Sequence, residues 1–303
     1  MPFNSCARAI CEIPIRVSVL HWNRPEECLA TLSHLRNSQL NLRITVIDNN
    51  SKPESLDRLR KNLPAGVELI QLSANVGWGK AHNVALRRWL RQEPDSPYCL
   101  ICAHDPVPVG TCLEQLIAAL ENDSNLGIAS PEYGSFEVPC FSVLRGAHLK
   151  QVSPRDYGVV EAADYCHGTL AVFRKECLKE IGIFDESYFA YGDETEIGVR
   201  ANRRGWKTGI VWGAVLHNPG SWSGNALIAY LWTRSSLRMA RKFYGPAGLL
   251  LRLAYIMFVT VVLWIRNSPL NGLSSPRARL LAVRDYLMDY HGPPTDPVLK
   301  LKT

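Results

Sequence analysis

Over its first 215 residues this sequence alternates short β-branched runs with segments of helical spacing, and few folds accept that pattern. Residues 15–20 read as a strand. Residues 25–35 read as a helix, with Cys28, Leu29, Leu32 and Leu35 on one face. Strand signals return at 42–47, 67–72 and 98–102, and helical signals at 53–63, 79–90 and 111–120. Strands separated by helices need crossover connections. The pattern therefore predicts βαβ units and an α/β fold, a mainly parallel sheet with helices on both faces. Ligands of such sheets gather at the carboxyl ends of the strands.

Those ends are polar. His21-Trp22-Asn23-Arg24 follows the first strand, Asp48-Asn49-Asn50-Ser51 the second, Asn75-Val76-Gly77-Trp78-Gly79 the third and His104-Asp105 the fourth. Each alone is also good turn chemistry. Their convergence on one sheet edge favours a binding site. No G-x-G-x-x-G follows the first strand and no G-x-x-x-x-G-K-[ST] occurs, so a nucleotide here would be held by side chains, its diphosphate through a metal.

Residues 164–217 form a second dense block. A strand entering a helix at 175–181 leads to Tyr188, Phe189 and Tyr191, then to Gly192-Asp193-Glu194-Thr195-Glu196. Three carboxylates in four positions at a helix start suit the positive end of the helix dipole, with Arg200 paired to Glu196 at i+4. They equally suit a general base, which the aromatic and glycine prelude favours. Val215-Leu216-His217 ends a last strand, followed by a loop through Gly220 and Ser221.

Charge divides the chain unevenly. Residues 1–230 carry 23 Lys and Arg against 25 Asp and Glu, whereas residues 231–303 carry 11 against 3. The basic surplus adjoins the apolar stretch 247–265, which only Arg252 interrupts. Its unbroken part, 253–265, is about 20 Å long as a helix, short of the ~30 Å hydrocarbon core. It is therefore expected to lie in a membrane interface, with Arg241, Lys242, Arg266, Arg277 and Arg279 on anionic lipid. Burial in a core or in a homodimer interface is the alternative. The basic tail lacks aromatic interleaving, which argues against nucleic acid. Nine scattered cysteines and no apolar signal core within residues 1–14 predict a reducing, cytoplasmic setting. Cys99-x-x-Cys102 lies in a strand-like run and has no second pair, so it is not expected to hold zinc.

The order Val17-Ser-Val-Leu-His-Trp-Asn-Arg-Pro25, Val46-Ile-Asp-Asn-Asn-Ser51, Asn75-Val-Gly-Trp-Gly79 resembles the nucleotide-sugar half of family 2 glycosyltransferases. Gly192-Asp-Glu-Thr-Glu-Ile-Gly-Val-Arg200, after Ile183-Phe-Asp-Glu186 and before Gly205-Trp206, resembles their acceptor-side acidic motif. Within that family the chain is most similar to bacterial rhamnosyltransferase-like enzymes of surface polysaccharide assembly, including Tyr230 to Ser235 and Arg284-Asp285 near the C-terminus. The resemblance implies a GT-A domain over 13–222, with a nucleotide-sugar half (13–110) and an acceptor half (111–222). A helical region, membrane-proximal or oligomerising, would follow at 223–303.

It further implies an inverting transfer from a nucleoside-diphosphate sugar, dTDP-rhamnose first and a UDP-sugar second, to a lipid-linked or polysaccharide acceptor. The enzyme would work at the inner face of the cell membrane. His21, Asp48, Asn75, Gly77, Asn83 and Asp105 would bind the donor. Asp105, with His217, would hold Mg²⁺ or Mn²⁺. Glu194 best matches the general base, with Asp193 its rival. One departure stands out: Ala103 occupies the first position of the D-x-D-like motif, leaving Ala103-His104-Asp105 with a single carboxylate. A catalytically impaired nucleotide-sugar-binding or scaffold subunit is therefore the alternative. A nucleotidyltransferase is disfavoured, since His21-Trp-Asn-Arg-Pro25 is not a glycine-rich phosphate loop.

Overall fold

The computed structural model describes residues 10–218, 224–270 and 272–302; Gly220 and Ser221 of the predicted loop lie outside the described residues. The alternation folds as expected. Strands β1 (Pro14–His21), β2 (Asn41–Asp48), β3 (Glu68–Gln71) and β4 (Tyr98–Cys102) pair in parallel in the order β3-β2-β1-β4. Helices α1 (Pro25–Arg36), α2 (Pro53–Asn62) and α3 (Trp78–Gln92) make the crossovers. The two faces sort by strand periodicity. In β4, Leu100 and Cys102 join a core with Cys28 and Leu32 of α1, while Cys99 and Ile101 face Leu86 and Trp89 of α3. Each such buried Leu or Ile stabilises by about 1.5–3 kcal/mol.

The remainder of the sheet is less regular. After β5 (Val107–Pro108) and α4 (Cys112–Asn122) come β6 (Leu126–Glu132), the hairpin β7 (Glu137–Ser142) and β8 (Gly146–Gln151), and β9 (Val160–Ala162). β10 (Leu170–Arg174) runs antiparallel between β4 and β6. The order continues to β11 (Lys207–His217) and β5, with β9 on β11. Helices α5 (Lys175–Ile181) and α6 (Asp193–Arg203) cover this part.

Helix α7 (Asn225–Ile265) is bent at Gly245-Pro246. Pro246 has no N–H and disfavours helical geometry before it, so Gly245 adopts φ 67°. Ahead of the bend, Tyr230 and Leu231 pack on Ala278 and Ala282 of α8 (Pro276–Leu287). Tyr230 donates to Asp285 at 2.6 Å and accepts from Arg234 at 2.9 Å, fastening the two helices. Beyond the bend, Arg252, Ile256 and Thr260 are buried on one face. Leu250, Phe258, Val261 and Trp264 form an exposed stripe on the other. Among the described residues α7 is the one helix long and apolar enough to cross a membrane, with 22% of its most apolar stretch buried. The expected basic flank is smaller than five residues. Lys242 is tied to Asp185 (2.6 Å) and Glu196 (2.8 Å), and Arg279 turns into a cavity, leaving Arg241, Arg266 and Arg277 exposed.

Candidate active site

The carboxyl ends of β1 to β3 meet as a network of buried polar groups. His21 and Asp48 end neighbouring parallel strands in register, and the His21 Nδ1–H donates to Asp48 Oδ1 at 2.8 Å with both side chains fully buried. His21 Nε2 accepts from the Arg24 N–H at 3.2 Å, which fixes the tautomer. Burial pushes the Asp48 carboxyl up, but the hydrogen bonds from His21 and Ser51 outweigh it and hold the group below its usual range. Asn49 donates to Asn75 Oδ1 (3.0 Å) and the Gly77 carbonyl (3.2 Å), and accepts from the Val76 N–H. Asn75 thus shapes its own loop, accepting also from the Gly77 N–H at 3.1 Å.

Gly77 is a contact that no other residue could make. It has φ 92°, and an added Cβ would lie 2.1 Å from the Phe189 carbonyl oxygen. The neighbouring Trp78 N–H donates to that oxygen at 2.7 Å. Asn83, expected to close the donor pocket, ties α3 to the 184–186 loop. It is fully buried, its amide donates to Phe184 O (2.9 Å) and Glu186 Oε1 (3.1 Å), and its oxygen accepts from the Phe184 N–H.

Asp193 completes the junction. Fully buried, it accepts from the Gly79 N–H in the first turn of α3 at 2.6 Å while opening α6, so the positive ends of two helices converge on one carboxylate. Glu196 pairs with Arg200 at 2.8 Å, as its spacing predicts. Glu194 differs from both. It is only partly buried, accepts from the Gly192 N–H at 3.1 Å, and packs over Gly168, where an added Cβ would lie 3.5 Å from its Cγ. Burial, then the adjacent negative charge of Asp193, pushes its carboxyl well above the ordinary value.

Asp105 is held by its neighbours: Thr31 Oγ1 donates to the carbonyls of His104 (2.9 Å) and Pro106 (3.2 Å) on either side of it. β5 pairs with the end of β11 so that His217, exposed, lies opposite Val107, two residues from Asp105 in sequence. Among the described residues no three His, Cys, Asp or Glu side chains cluster as a metal cage. Asp105 and His217 are thus brought to neighbouring strand ends, and oxygen and imidazole donors of this kind suit a divalent cation whose remaining ligands are diphosphate and water.

The structure adds residues that the sequence had not marked as site residues. Gly168 seats Glu194. Tyr191 (φ 60°) and the half-exposed Trp232 meet edge to face at 6.1 Å beside the start of α6. A non-glycine residue at positive φ was not readable, although the Tyr188–Tyr191 aromatic run marked the region.

The backbone is similar to three solved glycosyltransferase structures. A mannosyltransferase from Pyrobaculum calidifontis, in complex with GDP-Man and Mn²⁺, shows 16% identity and a TM-score of 0.56 over 95% of this chain and 82% of that one. GalNAc-T7 with UDP, GalNAc and Mn²⁺ shows 12% and 0.57, over 80% of this chain and 54% of that one. TarS of S. aureus, residues 1–349, shows 15% and 0.51, over 95% and 83%. These likenesses show a GT-A-like fold. No curated protein matches the sequence. Residues 17–182, more than half of the chain, match the family described as glycosyl transferase family 2. The match spans the donor-side strands and stops short of Glu194. The chain is a member of glycosyl transferase family 2.

Proposed function

We propose that the protein is an inverting glycosyltransferase that uses a nucleoside-diphosphate sugar, with Glu194 as the general base. The observation that carries this is the contrast within the acidic motif. Asp193 and Glu196 are fully buried and bonded to protein partners, whereas Glu194 is partly exposed with its proton affinity raised. A carboxylate with raised proton affinity is the stronger proton acceptor once ionised. Asp193, the rival, acts as a positioning residue.

In the reaction the acceptor hydroxyl gives its proton to the Glu194 carboxylate as its oxygen bonds to the anomeric carbon. The bond from that carbon to the diphosphate oxygen breaks, and both electrons leave with the nucleoside diphosphate. Attack opposite the leaving group inverts the anomeric centre. His21, Asp48, Asn75 and Gly77 act by fixing the walls of the donor pocket. Asp105 and His217 would hold Mg²⁺ or Mn²⁺, which when bound supplies positive charge to the leaving diphosphate. The nucleotide and Mn²⁺ named in two of the similar structures favour this reading. Donor rhamnose rests on family resemblance. A lipid-linked acceptor and a peripheral place on the membrane rest on the exposed stripe Leu250, Phe258, Val261, Trp264 and its flank of Arg241, Arg266 and Arg277.

Ala103 favours a second reading, a subunit that binds nucleotide sugar without turning it over. Both readings face one experiment. Purified protein is screened against nucleotide sugars by thermal shift with Mg²⁺ or Mn²⁺, then the stabilising donor is assayed for transfer with wild type and Glu194→Gln. The expected result is unchanged donor binding and a loss of about 10²–10⁴ in turnover for the variant. Near-normal turnover by Glu194→Gln rejects the base. Donor binding with no wild-type turnover on any lipid-linked or glycan acceptor selects the second reading.

A further inference from the structure

A cavity of about 370 Å³ lies between the bent helix α7, the β7–β8 hairpin and the start of α8. Its lining includes three arginines, Arg145, Arg252 and Arg279, and no Asp or Glu. Arg252 is 6% exposed, and its hydrogen bonds go to neutral oxygens: Nε donates to Ser236 Oγ at 3.0 Å and Nη1 to the Leu144 carbonyl. The Nε of Arg279 is buried with no hydrogen-bond partner. A buried cation without a counter-charge costs several kcal/mol, and a second guanidinium beside it adds repulsion. Burial, then the charge of Arg279, brings Arg252 down to about 10. Yet the seat is built for it. Gly146 sits at φ 73° where an added Cβ would lie 2.8 Å from Arg252 Nη2.

We propose that this cavity binds a phosphate or diphosphate group carried by the acceptor. Planar guanidinium forks match phosphate oxygens bidentately, and an entering anion relieves the repulsion between the arginines. The location selects the acceptor. Thr195 of the base-bearing helix and its N-cap Gly192 line the cavity, and an added Cβ on Gly192 would lie 2.4 Å from Ser235 Cβ, so the start of α6 rests directly on the cavity wall. Asp193, by contrast, reaches to Gly79 on the donor side. Leu273 and Val259 carry the wall towards the exposed apolar stripe of α7, and Tyr191 and Trp232 supply an aromatic edge for a sugar ring. An amphiphile with a charged group, a sugar and a hydrocarbon tail fits that sequence of surfaces. The proposal rests on Glu194 marking the acceptor side.

The test uses the full chain and inorganic diphosphate, titrated calorimetrically with a chelator present so that metal-mediated binding at the donor strands is suppressed. Wild type is expected to bind, and Arg279→Gln and Arg252→Lys to weaken binding at least ~tenfold, the least expected for a lost charged hydrogen bond. UDP binding with Mn²⁺ is expected to stay within about twofold, as follows from binding at a separate site. No diphosphate binding by wild type, or undiminished binding by both variants, overturns the site. A polyprenyl diphosphate in phosphatidylcholine vesicles and a soluble sugar 1-phosphate are then compared as competitors. Stronger competition by the vesicles assigns a lipid-linked acceptor, stronger competition by the sugar phosphate a soluble one, and competition by neither rejects the acceptor group. Loss of nucleotide-sugar binding in wild type with the diphosphate result intact would reject the glycosyltransferase reading and leave the anion site standing.

Discussion

The carboxyl ends of the first strands, proposed as the donor side, and the start of α6, proposed as the acceptor side, are both rich in polar groups, but they hold them differently. On the donor side nearly every group is matched to another: His21 to Asp48, Asn49 to Asn75, Asn83 to Phe184 and Glu186. These side chains shape backbone. On the acceptor side Glu194 keeps a raised proton affinity, and the Arg279 Nε lacks a partner. Satisfied networks make walls, and strained, unspent groups are left for chemistry.

The sharpest way to break this contrast is at the seam. Gly77→Ala places a methyl against the Phe189 carbonyl at a φ that alanine resists, and should destabilise the fold by about 3 kcal/mol, read from the denaturant midpoint. Next come paired substitutions of opposite sign. Asp48→Asn leaves His21 and Ser51 facing a weaker acceptor and should cost about 2 kcal/mol. Glu194→Gln relieves the carboxylate's repulsion with Asp193 and should gain about 1 kcal/mol above the pH at which Glu194 ionises, while lowering turnover by about 10²–10⁴. Equal losses from both would erase the distinction drawn here.

The smallest effect is in pH dependence. Asp48 is held low, so its contribution is fully present above its unfolded value of about 3.9 and disappears as pH falls through its folded value. Glu194 is held high, so the folded chain binds the extra proton. Its penalty accumulates as pH rises from about 4.3 towards its folded value. The stability gap between Glu194→Gln and wild type should therefore widen over that window and then level. The acid limb of kcat/KM should lie above the ordinary carboxylate range, with activity rising as pH rises. An acid limb at or below about 4 would contradict the base assignment.

Much of the donor half was legible. Buried parallel strands are short apolar runs and their crossover helices carry a 3.6-residue stripe, so β1 to β4 and α1 to α3 fall within a few residues of their predicted bounds. The Glu196–Arg200 pair was legible because its partners are one helical turn apart. The stretch 121–163 was not, because β6, β7, β8 and β9 take their identity from pairing partners distant in sequence. The partners of Asn83 in the 184–186 loop were not legible either, because they lie a hundred residues away in sequence. The arginine cavity had no local signature, since Arg145, Arg252 and Arg279 come from a hairpin and two helices that only the tertiary fold assembles.

Asp193 also joins two helices mechanically. Because one anion seals the opening turns of α3 and α6 together, those helices are geared: neither can slide without breaking a 2.6 Å bond in a place water does not reach. The same carboxylate is the negative charge beside Glu194, so the joint between the two helices also sets the field at the next residue along.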